Sequence, residues 1–71
     1  MHLIQSTVEG AIVLLTQREL TILANAINET LQEVEDWEFS TRVGVEPAEA
    51  DILRRKIVET LTTIERSALP K

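Results

Sequence analysis

Glu29 and Glu33 stand four residues apart on a stretch with helical periodicity, and a carboxylate pair at that spacing is the nearest the chain comes to acid–base machinery. General acid–base catalysis also needs a cleft that positions the pair against a substrate, and an exposed helix face supplies none. Other reactive groups are scarce. The chain has 0 cysteines and 1 histidine, His2, so neither a nucleophile–base pair nor a metal triad assembles in the usual way. Without thiolates and with a single imidazole, a zinc site has too few donors. No glycine-rich phosphate loop occurs. The expectation is a non-enzyme with no cofactor and no metal.

Acidic residues can instead meet positive charge. Glu33, Glu35, Asp36 and Glu38 crowd the predicted C-terminal end of the first helix, where carboxylates oppose the helix dipole by up to roughly 1 kcal/mol each. They read either as a solvated face or, with Trp37 among them, as a surface for a basic partner. Net charge is −5 and unevenly spread: residues 1–38 carry seven acids against Arg18 alone, whereas residues 39–71 carry five acids against six bases. Such a chain repels nucleic acid in general. Arg54-Arg55-Lys56 lies mid-helix, where consecutive side chains point about 100° apart and do not converge on one ligand.

The elements that position these groups follow from periodicity. Ala11 to Leu15 is a short apolar run rich in β-branching, preceded across Glu9-Gly10 by the weaker Leu3-Ile4 and Thr7-Val8. This reads as a β-hairpin, roughly 2–8 paired with 11–15, with Gly10 supplying a positive φ for the reversal. The second strand is apolar on both faces, so one face is expected to meet the helices and the other a further layer or subunit. Thr16-Gln17-Arg18-Glu19 has capping-box spacing and starts a helix. Leu20, Leu23, Ala24, Ile27, Leu31 and Val34 then form one stripe. Ile22, off that stripe, reads as an isolated apolar residue or as the start of a second contact surface.

Trp37, Phe39 and Val43 fall on one face of an extended segment, which predicts a short third strand over 37–43. Trp37 and Phe39 would then seal the end of the core, the alternative being Trp37 as the anchor of a binding surface. Gly44 breaks the chain and turns it with positive φ. Pro47 suits the first turn of a second helix, whose stripe is Ala50, Leu53, Ile57, Leu61 and Ile64, widened by Val58, and which Leu69-Pro70 ends. The fold class is α+β over a single domain, 1–71, with the two long helices antiparallel and the strand face completing one core.

Ser40 to Glu46 also resembles the turn of a helix-turn-helix. Its recognition helix would open Glu46-Pro47-Ala48-Glu49-Ala50-Asp51, turning three acids toward a polyanion, and the preceding helix would have to include the segment that reads as extended.

Leu23-Ala24-Asn25-Ala26-Ile27-Asn28-Glu29, with Trp37 to Val45 and Glu49-Ala50, resembles a group of small bacterial proteins of unknown function, over roughly residues 15–60. The resemblance implies a bacterial source and brings no activity. It implies that Asn25, Asn28, Arg42 and Gly44 belong to one structural arrangement, in which the Asn side chains and Arg42 satisfy backbone groups at the helix-to-strand connection.

Size narrows the function further. A 71-residue chain buries only about 60% of the surface its unfolded form exposes, and chains this short rely on staples, exceptional packing or a partner subunit. Having no cysteine leaves the last two and fits a reducing, cytoplasmic compartment. The N-terminus shows no signal-peptide pattern, and no apolar run approaches membrane-span length. The composition therefore points to a self-associating interaction module, a homodimer with an acidic partner-binding end. The alternatives are an immunity or antitoxin-type inhibitor of a basic toxin and a helix-turn-helix-like nucleic-acid binder.

Overall fold

A computed structural model describes residues 1–68. The order is β1 (His2–Thr7), β2 (Gly10–Leu14), α1 (Gln17–Glu33), α2 (Asp36–Val43) and α3 (Pro47–Ala68), an α+β arrangement in which a two-stranded antiparallel hairpin precedes three helices.

The hairpin turns one residue earlier than its composition suggests. Thr7 pairs with Gly10 across a loop of Val8 and Glu9. Gly10 begins β2 without positive φ, and neither loop residue has one, so the turn is not a primed type and glycine's freedom is not what makes it. The Thr7 side chain holds it instead: the Glu9 N–H donates to Thr7 Oγ1 at 3.2 Å, and that hydroxyl donates to the Gly10 carbonyl at 3.4 Å. On β1 the register shifts between Leu3 and Gln5, leaving Ile4 without a partner.

α1 starts as its capping box dictates. Glu19 N–H donates to Thr16 Oγ1 at 3.1 Å and Thr16 N–H donates to Glu19 Oε1 at 2.9 Å. α1 and α3 pack together around Leu20, Ala24 and Ile57, with Leu15, Ile27, Leu61 and Ile64 against them. The end of α1 and the start of α3 share an apolar cavity of about 140 Å³ with Phe39, lined by Ile27, Val43 and Ala50 among others. Leu23 and Leu53, placed on the stripes by spacing, are instead exposed at their edges.

The segment 37–43 is helix, not strand. Alternation of Trp37, Phe39 and Val43 fits an extended chain, but Phe39 and Val43 are also i, i+4 and share a helix face. Three local features favour the helix: Asp36 and Glu38 lie in its first turn, Arg42 in its last, and Gly44 caps it. Gly44 has φ 94° and donates its N–H to the Ser40 carbonyl at 2.9 Å, the left-handed cap conformation that favours glycine. α3 then opens on Pro47, with the Glu46 carbonyl accepting from Glu49 and Ala50. The expected stop at Leu69-Pro70 lies outside the described residues.

The largest departure concerns the core. The strand face was expected to complete it, yet every residue of β1 and β2 is exposed and the hairpin packs on no helix among the described residues. Leu15, just past β2, is as far as the core reaches. The molecule is correspondingly extended, measuring 47 × 30 × 16 Å with a radius of gyration of 14.4 Å, against about 11 Å for a compact chain of this length.

Candidate functional site

Two surfaces stand out among the described residues, one at the α1–α2 junction and one on the hairpin. Glu33 ends α1, Val34 and Glu35 form an extended connection, and Asp36 and Glu38 enter the first turn of α2. The cluster therefore belongs to two helix ends of opposite polarity. Glu33 opposes the dipole of α1, as expected from sequence, but Asp36 and Glu38 complement the N-terminus of α2. Glu38 also accepts from Arg42 at 3.0 Å, one turn along. That pair replaces the backbone role expected of Arg42, and Asn25 and Asn28 are exposed on α1.

Trp37 and Phe39 are two residues apart, about 200° around a helix. The consequence is a split: Phe39 is 1% exposed and Trp37 80%. Sealing of the core was expected of both and holds for Phe39 alone. Trp37 stands in solvent beside Glu33, Glu35 and Asp36, all exposed.

The second surface is apolar and almost uncharged. Between residues 2 and 15 the ionisable side chains are His2 and Glu9. Ile12 is 57% exposed and Leu14 62%. Sequence reasoning recognised both apolar faces of β2 but assigned one of them to the helices; alternation states that a face is apolar, not what covers it.

On α3 one carboxylate gathers two arginines. Asp51 accepts from Arg54 at 2.8 and 3.0 Å and forms an ion pair with Arg55 at 2.9 Å, and Arg54 chiefly holds its carboxyl below the usual range. Two members of the basic run are thus tied to their own helix, a pairing legible in the i, i+3 and i, i+4 spacing. The Met1 ammonium group, followed by the Thr16 backbone, lowers the Glu19 carboxyl from 4.5 to about 2. Among the described residues no three His, Asp or Glu side chains converge as a metal set, and no helix is long and apolar enough to cross a membrane. A further open cavity of about 410 Å³ is lined mostly by apolar residues such as Ile27, Val45 and Leu53, with Glu49 and Lys56 also in its lining.

No protein-family model matches the chain, and comparison with curated proteins and with solved structures gives no significant match.

Proposed function

We propose that the chain is a non-catalytic protein-interaction module of a bacterial cytoplasm that self-associates as a homodimer, and that its two long helices run antiparallel. The observation that carries this reading is surface area. The chain exposes 5991 Å², whereas a compact monomer of 8.0 kDa exposes about 4500 Å². The excess, about 1500 Å², exceeds the roughly 800 Å² per partner that a standard stable interface buries. Exposed large apolar residues lie on the hairpin and at the outer helix positions Ile22, Leu23, Ile52 and Leu53, and surfaces of that kind mark association sites. Sedimentation equilibrium at micromolar concentration tests the reading. A two-chain mass is expected, and a species of 8.0 kDa overturns it.

A basic protein partner at the other surface is a second reading, favoured by Trp37 standing in solvent within the Glu33, Glu35, Asp36 and Glu38 cluster. Trp is enriched in binding hot spots, and an immunity or antitoxin-type inhibitor of a basic toxin is its specific form. A pull-down from the source cell tests it, with loss of the captured protein expected for Trp37→Ala. Nucleic-acid binding is the weaker alternative. The order α2, Gly44 turn, α3 is that of a helix-turn-helix, but Glu46 stands just before α3 and Glu49 and Asp51 near its start, and these acids repel phosphates.

A further inference from the structure

We infer that the outer edge of β2 is where two copies of this chain meet, β2 of one pairing antiparallel with β2 of the other across a twofold axis to make a four-stranded sheet. The inference rests on the self-association proposed above and names its surface and geometry.

A lone two-stranded hairpin is marginal in water and needs further strands or a packed face. This one has neither, since it contacts no helix among the described residues. The edges differ. β1 is interrupted at Ile4, where the register shifts, and a bulge of that kind bends an edge strand away from pairing. β2 pairs without interruption from Gly10 to Leu14 and carries neither charge nor proline. It therefore lacks the devices that usually protect an edge.

Charge identifies the occupant. Two chains of net charge −5 repel wherever their acids face each other, and the hairpin, with Glu9 as its one acid at the loop, is where copies approach with least repulsion. A basic partner gains nothing from this neutral edge, whereas a second copy matches it by symmetry.

The geometry gives a sharp test. A twofold axis perpendicular to an antiparallel sheet forces one residue of β2 to face its own copy, because opposed residues share a face of the sheet. The chain has 0 cysteines, so single substitutions Ala11→Cys, Ile12→Cys, Val13→Cys and Leu14→Cys report that residue directly under mild oxidation of the full chain, with Leu3→Cys on β1 and Ile52→Cys on α3 as controls. Opposed Cβ atoms lie roughly 5 Å apart in such a pair, near disulfide reach. All these positions are exposed, and circular dichroism verifies that each variant keeps its helices. The expected result is a wild type that sediments as a dimer, and efficient covalent dimer at one β2 position with background at both controls. A dimeric wild type whose variants crosslink at Leu3 or Ile52, or nowhere, overturns edge pairing and leaves self-association standing. A monomeric wild type overturns both.

Discussion

The hairpin and the helical unit use much the same apolar residues and end in opposite conditions. Leu20 and Ile57 are buried against each other's helices, whereas Ile12 and Leu14 are left in solvent. The difference lies in what each element can satisfy by itself. A helix closes its hydrogen bonds internally and needs only one neighbour for its stripe. A hairpin always presents two open edges and two faces. α1 and α3 pack on each other and, among the described residues, neither strand lies against them, so the apolar residues of β2 await an external partner. The fold of the helices and the fate of the hairpin should therefore separate experimentally.

The sharpest break in that comparison comes from the core side. Phe39→Ala removes a fully buried ring and should cost about 3–5 kcal/mol, enough to unfold much of a domain this small. Trp37→Ala, two residues away and exposed, should change stability by less than about 0.5 kcal/mol. Urea unfolding followed by helical circular dichroism compares them, and equal losses would contradict the helical split of the two aromatics. On the hairpin, Ile12→Ser should leave the helical transition unmoved at concentrations too low for association while lowering the dimer fraction at high concentration, as read by sedimentation. A loss of intrinsic helical stability would mean that β2 packs on the helices after all.

Gly44→Ala comes next. A Cβ there meets nothing within 4 Å, so crowding is not the issue and the cost is that of holding an L-residue at φ 94°, about 1 kcal/mol or more. An unchanged urea midpoint would show that an ordinary residue fits the α2–α3 turn.

The capping box at the hairpin-to-helix junction makes a comparable contribution. Thr16→Ala should cost about 1 kcal/mol. Its partner Glu19 adds a pH signature. The folded carboxyl is depressed, to about 2 from 4.5, so its stabilisation is fully present above the unfolded value and drains away as pH falls between about 4.5 and 2. Glu19→Gln should flatten that acid limb of a stability-against-pH curve, and an unaltered limb would show that the Met1 and Thr16 contacts do not hold in solution.

Legibility from sequence followed the same divide. The capping box, the α1 and α3 stripes, and the breaks at Gly44 and Pro47 were readable because each is a local device with a fixed spacing. The 37–43 segment misled because Phe39 and Val43 satisfy both periods while Trp37 fits only the extended one, and the burial of Phe39 that favours the helix is a tertiary fact. The hairpin was readable as a hairpin, but its turn was assigned to Gly10 when Thr7 makes it, since a hydroxyl bracing its own turn leaves only a weak composition signal. What covers β2 was beyond sequence, because an apolar strand records the need for a neighbour and not which chain provides it. At the acidic junction the residues were identified, while the helix ends that partly account for them depended on knowing that α2 exists.

The smallest effect on stability is expected at that junction, and it bears on whether the charged surface behaves like the apolar one. Glu33 sits against the C-terminal dipole of α1, and Glu35 lies just before α2, where a carboxylate is favourable. Glu33→Gln with Glu35→Gln removes one unfavourable and one favourable term, so the urea midpoint should shift by less than about 0.5 kcal/mol in either direction. Glu38 is left in place because its pair with Arg42 contributes about 0.3–0.5 kcal/mol to the helix itself. With the fold held constant, binding to a captured basic partner reports the charges alone. Affinity of the double variant should fall at low salt and converge on wild type at high salt, since exposed charges act over a screening length that shrinks as salt rises. Identical binding at both salt concentrations would show that these carboxylates are only solvated, leaving Trp37 as the residue through which that surface engages a partner.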